Sequence, residues 1–390
     1  MKPWRVFIVA GEPSGDELGA ELVQALRARH PDIILAGVGG EKLAAVGIQS
    51  HVSIDGLSVL GLTEGLAALK TVNERAQATG EAAAGFKPDA VVLIDSWGFT
   101  LRAAKAIRAR VPQAKLIKMI GPQVFATRPG RARTVAQVYD ALFCIHDFEV
   151  PYYDGTGLPV TVIGNPAVAR AQIGDGQGFR ARQGLTDKKL VLLLPGSRRG
   201  EIERVAPSLE EAAALLCARD PSLHVVAVLA PSVAEPMRAR AATWSFPHIL
   251  VGEADKVDAF AAGDVALACS GTVTTEVALQ GTPMVLGYRL GALSGFIILN
   301  FLLKSRFICL LNIALDRMAV PEFLQDNLRP EALAKAAGRL LYEPDAAADQ
   351  KAALAEALNK MGRHDPPAAE RAAEAVLKLL ESAPDHMVSS

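Results

Sequence analysis

At 390 residues the chain is too long for one ordinary hydrophobic core and fits two domains. Half of its residues are hydrophobic, 21% are charged and the formal net charge is -1, which excludes a duplex nucleic-acid partner, because such a partner needs a clustered cationic surface. The four cysteines, Cys144, Cys217, Cys269 and Cys309, are too scattered for a disulfide framework or a zinc site, and predict a reducing cytoplasm. The N-terminal MKPWRVFIVAGEPSGD lacks the apolar length and small-residue cleavage site of a signal peptide, so the chain is expected to stay inside the cell.

Taken in order, short apolar runs alternate with Ala-rich helical segments. VFIVA (6–10) leads into a helix near 15–30, followed by IILAGVGG, AVVLIDSW (90–97) and KLIKMIG (115–121). Continuous apolar runs suit strands buried on both faces, and the helices between them imply right-handed parallel crossovers. The pattern restarts at KKLVLLLPGSRRGE (188–201) and continues through HVVAVLA, HILVGE, DVALACSGT and PMVLGYR. This predicts an α/β protein of two Rossmann-like domains, 1–168 and 185–345, joined by the polar, Gly-rich segment 169–184. Residues 346–390 form C-terminal helices and a tail that can pack back on the first domain.

Two turns in the second half suit an anion. LLLPGSRRGEIE (192–203) runs from a strand into Gly196, Ser197, Arg198 and a helix, where an arginine fork can hold phosphate. ACSGTVTTEVAL repeats the logic with Ser270, Gly271, Thr272 and, one turn on, Glu276, a carboxylate able to accept from a ribose diol; ordinary capping of the two helices is the structural alternative. In the first half, GEPSGDELGA places Glu12, Ser14 and Asp16 at a turn that would repel pyrophosphate and better suits sugar hydroxyls or capping. IDSWGFT puts Asp95 at the end of a central strand, as a general base or as a structural acceptor of backbone amides. Arg128, Arg131, Arg133 and Lys118 offer either a receiver for a phosphorylated acceptor or a solvated basic face, and His146 reads as a structural histidine.

The motifs VAGEPSGDELGA, LSVLGLTEGL (57–66), LLPGSRRGEIE, SGTVTTEVAL, GYR and Asn312 with PEFLQ (321–325), in this order, resemble those of lipid-A-disaccharide synthases, inverting glycosyltransferases of the GT-B type. The resemblance implies two Rossmann-like domains facing across a cleft. It also implies transfer of the acylated glucosamine of UDP-2,3-diacylglucosamine to 2,3-diacylglucosamine 1-phosphate, giving a β-1,6 disaccharide and UDP. It assigns donor contacts to Gly196, Ser197, Arg198, Ser270, Gly271, Thr272, Glu276, Arg289, Asn312 and Gln325, and catalysis to Asp95 and Arg198. Glu12, Ser14, Asp16 and Arg128 would hold the acceptor; no metal or other cofactor is implied. The pattern departs from the family in the acceptor half. Asp-x-Pro-Asp-Phe-Asn stands as Asp95-Ser96-Trp97-Gly98-Phe99-Thr100, Ser-Pro-x-Val-Trp-Ala-Trp as residues 121–127, and Gly-His-Pro as Gly164-Asn165-Pro166; Leu311 stands for a proline. A UDP-sugar 2-epimerase and a non-catalytic nucleotide-sugar or lipid-binding relative are the competing readings.

The stretch 291–315 is mostly apolar and carries only two charges, Lys304 and Arg306; its uncharged run from Leu290 to Leu303 is 14 residues, short of the roughly 20 of a membrane span. A buried core helix is one reading. The acylated substrates favour another, a lipid-facing lip carrying Phe296, Ile298, Phe301 and Leu302, matched by Leu60 and Leu62 and flanked by cations. The expected placement is therefore peripheral, on the inner face of the cytoplasmic membrane, with a homodimer left open.

Overall fold

The computed structural model describes residues 3–54, 57, 66–290 and 305–382. The chain divides into two compact units, residues 1–169 with 364–390, and residues 170–363. Each is an α/β layer structure around one six-stranded parallel sheet.

In the first unit the strands β1 (Arg5–Ala10), β2 (Ile34–Val38), β3 (Ala90–Ile94), β4 (Lys115–Met119), β5 (Ala141–Cys144) and β6 (Val160–Val162) lie in the order β2-β1-β3-β4-β5-β6. All five residues of β3 are buried, as the run AVVLI predicts for a strand covered on both faces. One cover is the helix Pro13–Arg29, whose Leu18, Leu22 and Leu26 pack with Ala372, Ala373, Val376 and Leu380 of the helix Ala368–Glu381. The other consists of the helices Leu66–Phe86, Trp97–Arg110 and Arg131–Val138.

In the second unit β7 (Lys189–Leu194), β8 (Leu223–Val228), β9 (His248–Val251), β10 (Val265–Cys269), β11 (Met284–Tyr288) and β12 (Glu322–Leu324) take the order β12-β11-β10-β7-β8-β9. Residues 346–390 are shared between the units. The helix Pro344–Lys360 stays with the second, where buried Gln350 accepts from the Met284 amide at 2.6 Å and donates to the Met284 and Ala319 carbonyls at 3.2 and 3.1 Å. The helix Ala368–Glu381 completes the first.

Residues 169–184 are not a plain linker. Asp175 caps a helix, Gly176–Gln183, by accepting from the Gly178 amide at 2.8 Å, and Gly184 ends it in the left-handed conformation. Phe179 is fully buried, and Arg180 bonds the Ala262 carbonyl and the Asp264 carboxylate. Composition suggests a loop here because the helix is held by one aromatic and one arginine rather than by an apolar stripe.

The first unit also buries a carboxyl group. Glu149 is 2% exposed, accepts from the Ile145 and His146 amides at 3.2 and 3.0 Å, and burial pushes its pKa up to about 7. The folded chain therefore retains a proton that the unfolded chain releases at its ordinary value of 4.5, and this contribution to stability is lost as pH rises through 7. Glu149→Gln keeps an acceptor for the amides and removes the buried charge. It should match the parent near pH 4.5 and exceed it at pH 8 by on the order of 1–3 kcal/mol in urea denaturation.

Candidate functional site

A parallel sheet whose strand order reverses direction opens a crevice outside the carboxyl ends of the two strands flanking the reversal. In the first unit that point lies between β1 and β3, and in the second between β7 and β10. The turns that leave these four strands carry most of the candidates: Glu12 and Ser14 after β1, Asp95 after β3, Gly196 to Arg198 after β7, and Ser270 to Thr272 after β10.

In the first unit the two turns touch. A Cβ on Gly11 would lie 2.6 Å from the Phe99 ring and 3.1 Å from Ser96 Oγ, so only glycine lets the β1 turn lie against the β3 turn. Glu12 is half-buried and Ser14 exposed. Asp16 is 3% exposed, and its carboxylate accepts from the amides of Gly40, Lys42 and Leu43 at 2.7, 2.8 and 3.3 Å. It ties the loop after β2 to the first helix and has no oxygen turned outward without an amide. Asp95 and Ser96 have φ of +46° and +41°, a left-handed pair without glycine, and the Asp95 amide donates to Met119 O at 2.9 Å. Such residues persist where surroundings over-determine them, and they cluster at functional sites. Arg128 is exposed, and Arg131 stacks 5.5 Å over the Trp97 ring. Lys118 does not join this basic face. It is 0% exposed, beneath the Asp95 turn.

In the second unit the β7 turn is partly occupied by the chain itself. Glu201 Oε2 accepts from the Ser197 and Arg198 amides at 2.9 and 3.2 Å and closes on Gly196, whose φ is +117°. A carboxylate on those amides leaves anion capture to side chains, and Arg198, 81% exposed, extends from the turn. Ser270 is half-buried, while Gly271 and Thr272 are exposed, with nothing within 4 Å of a Cβ placed on Gly271. Glu276 pairs at 2.9 Å with Lys256, which also holds Glu253 at 2.7 Å. Burial lowers the Lys256 pKa, but its hydrogen bonds to Glu253 and Glu276 outweigh that and raise it overall. Glu253 in turn lines a cavity of about 430 Å³ at the ends of β8 and β9, together with Leu229, Pro231, Arg238, Val251 and Gly252.

Three expected donor contacts stand further back. Asn312 is 0% exposed with its amide group fully engaged: Nδ2 donates to Val320 O and Glu322 Oε1 at 2.7 Å each, and Oδ1 accepts from the Ala319 and Val320 amides at 2.9 Å. Glu322 also accepts from the Ile308 and Cys309 amides, so the pair clamps the chain that follows residue 304 onto β12. Arg289 donates to the Gln325 and Leu328 carbonyls at 3.1 and 3.3 Å, and Gln325 Oε1 accepts from the Leu290 amide at 2.7 Å. These residues brace the chain that leaves β11 and the chain around β12. Leu60, Leu62, Phe296, Ile298, Phe301 and Leu302 lie outside the described residues. Glu201, Lys256 and Glu322 are absent from the expected site, and Lys118 is expected only with the basic face that it does not join. Only Glu201 carries a local signal, its place three residues after Arg198 in a capping pattern.

The model of the family described as lipid-A-disaccharide synthetase matches residues 6–376. The lipid-A-disaccharide synthase of Rhodospirillum centenum is 42% identical over 384 residues, 97% of this chain and 96% of the relative; that of Myxococcus xanthus is 38% identical over 383 residues, 97% and 98%. Among solved structures, a UDP-N-acetylglucosamine 2-epimerase from Neisseria meningitidis bound to UDP-GlcNAc superposes with a TM-score of 0.55 at 14% identity, over 97% of this chain and 99% of that one. An α,α-trehalose 6-phosphate synthase from Burkholderia multivorans does so with 0.57 at 14% identity, over 98% and 99%. At that identity the structural likeness is one of fold, the GT-B type, which serves epimerases and transferases alike. The match along nearly the whole length is a different matter, and by it the chain belongs to the lipid-A-disaccharide synthase family of glycosyltransferases.

Proposed function

We propose that the chain transfers the acylated glucosamine unit of UDP-2,3-diacylglucosamine to the 6-hydroxyl of 2,3-diacylglucosamine 1-phosphate by direct displacement at the anomeric carbon, with Asp95 as general base. The observation that carries this reading is the placement of Asp95 beside Glu12 at the strand-order reversal of the first sheet, in a chain that belongs to this family. In the step itself the acceptor oxygen bonds to the anomeric carbon, the bond from that carbon to the UDP oxygen breaks, and the hydroxyl proton passes to the Asp95 carboxylate.

The second unit supplies the donor side. The exposed Arg198 guanidinium and the Ser270 and Thr272 hydroxyls stabilise the negative charge that grows on the departing diphosphate. Glu276, aimed by Lys256, accepts from the ribose diol. The cavity at the ends of β8 and β9 receives the base, one strand beyond the phosphate turn; Ser232 Oγ ties its wall to Ser197 O at 2.7 Å. Glu12, Ser14 and Arg128 hold the acceptor, Arg128 through its phosphate. Asp16, Asn312, Arg289 and Gln325 act by holding the loops that carry these contacts. For the acyl chains we assign residues 60, 62, 296, 298, 301 and 302 to peripheral attachment at the inner face of the cytoplasmic membrane; the end of the same apolar stretch, Phe307, Cys309, Leu311, Asn312, Ala314 and Leu315, is instead buried in the second unit. No helix among the described residues is long and apolar enough to cross a bilayer, and Lys304 and Arg306 suit anionic lipid.

Purified chain should release UDP only when given both the acylated UDP-sugar and the acylated sugar 1-phosphate; turnover of the UDP-sugar alone would establish the epimerase reading instead. Asp95→Asn should lower kcat by about a hundred- to ten-thousandfold while calorimetry finds UDP binding unchanged. Lost UDP affinity would remove Asp95 from the role of base. Lys256→Met should raise the donor KM about three- to tenfold and leave kcat nearly constant, as expected for a group that aims a binding contact. In vesicle flotation with anionic liposomes, Phe296→Glu with Leu302→Glu should abolish binding, and unchanged flotation would dismiss the lipid-facing assignment.

A further inference from the structure

Lys118 is the largest polar side chain buried without exposure among the described residues. It stands on β4 with Leu93 of β3 and Leu142 of β5 as its neighbours in register, and it faces the apolar layer formed by Phe99, Ala103, Ala104 and Val135. A lysine in such a place needs a partner for its ammonium. Nζ reaches two atoms, both belonging to the Asp95 turn: it donates to the Asp95 main-chain carbonyl and, at 2.9 Å, to Thr100 Oγ1. Thr100 Oγ1 in turn donates to Asp95 O at 2.7 Å, with Ser96 O at 3.0 Å. The left-handed pair Asp95-Ser96 is thus held from below by one ammonium and one hydroxyl.

The charged groups facing Nζ come from two elements, the Asp95 carboxylate after β3 and the Glu12 carboxylate after β1. Tyr139, buried at the end of the helix Arg131–Val138, lies on the Thr100 side, and the β3 and β5 neighbours are leucines. We propose that Lys118 is a positioning residue for Asp95: its amine holds the Asp95 turn in the conformation that presents the carboxylate, and the charge on that amine tunes the proton transfer there. The proposal rests on Asp95 being the base. Burial pulls the Lys118 pKa down to about 7 against the opposing pull of the Asp95 and Glu12 carboxylates, which puts the loss of charge in the neutral range.

The sign follows. Below pH 7 a cation beneath the turn opposes the arrival of a proton there; above pH 7 that cation is gone. The rate of the wild-type chain should rise several-fold between pH 6 and 8 along a limb centred near 7. Folding stability should also rise with pH between about 7 and 10.5, because there the unfolded chain binds the proton that the folded chain has released.

The test is the pH profile of kcat with both substrates saturating, for the wild type, Lys118→Met, Thr100→Val and Asp95→Asn, each checked by thermal melting. Lys118→Met should lose the limb near pH 7 and, at pH 8, about tenfold in kcat with the donor KM unchanged. Thr100→Val removes an acceptor from the ammonium, so its limb should move to lower pH; this variant carries the test if Lys118→Met does not fold. A limb that stays in place in folded Lys118→Met, or an unshifted limb in Thr100→Val, overturns the role of Lys118. Full activity in Asp95→Asn overturns the base assignment itself, whatever the other profiles do.

Discussion

The constraint on which the rest of the structure depends is that each parallel sheet is wound in both directions from an inner strand. Chain leaving β1 and β3, and again β7 and β10, must diverge to opposite sides, so the turns at those four strand ends cannot cover one another. Room for polar side chains is left at two places, one per unit. The residues we assign to the chemistry are set around them. Strands buried on both faces are what make this arrangement rigid, since AVVLI of β3 and the apolar residues of β10 have no solvent side on which to slip.

Open turns need support, and the chain provides it with buried and half-buried polar side chains that bond main chain. Asp16 takes three amides, Asn312 and Glu322 together fasten the chain after residue 304, Gln350 pins β11, and Glu201 fills the amides of the β7 turn. Removal of one partner from such a contact leaves a buried donor or acceptor unpaired, at a cost of about 1–3 kcal/mol for each group. Of the residues we assign to substrate, Ser14, Arg128, Arg198, Gly271 and Thr272 are exposed, and Glu12, Asp95, Ser270 and Glu276 are half-buried. This division explains how residues within one motif separate into two kinds. In GEPSGDELGA, Ser14 looks outward and Asp16, two positions on, looks in.

Much of this is legible in sequence. The apolar runs locate the strands, and Asp95, Gly196, Arg198, Ser270 and Thr272 follow from being the polar residues that end them, because strand ends are where a parallel sheet meets its ligand. What is not legible is direction across the core. Nothing local distinguishes Lys118, which points into the layer under Asp95, from Arg128, which points out, although ten residues separate them in one basic stretch. Asn312 lies beside a short motif and reads as a contact, yet its four hydrogen bonds go to residues 319, 320 and 322, a return of chain that no periodicity announces. The division of residues 346–390 between two units is likewise a tertiary fact, since both helices are Ala-rich and amphipathic and either could cover either sheet.

The departures from the family motif bear on the same turn. Where the usual sixth residue of the Asp-x-Pro-Asp-Phe-Asn pattern is an asparagine, this chain has Thr100. An amide side chain brings two N–H donors; a hydroxyl brings one. Thr100 directs its hydroxyl to the Asp95 carbonyl at 2.7 Å, and that oxygen still has a second lone pair. The second donor arrives from β4 as the Lys118 ammonium, which fills the lone pair and uses the Thr100 oxygen as its own acceptor. A hydroxyl and a buried amine together supply the hydrogen bonding beneath the turn, and one of them carries a charge. In this chain the electrostatics under Asp95 therefore depend on the protonation of a lysine.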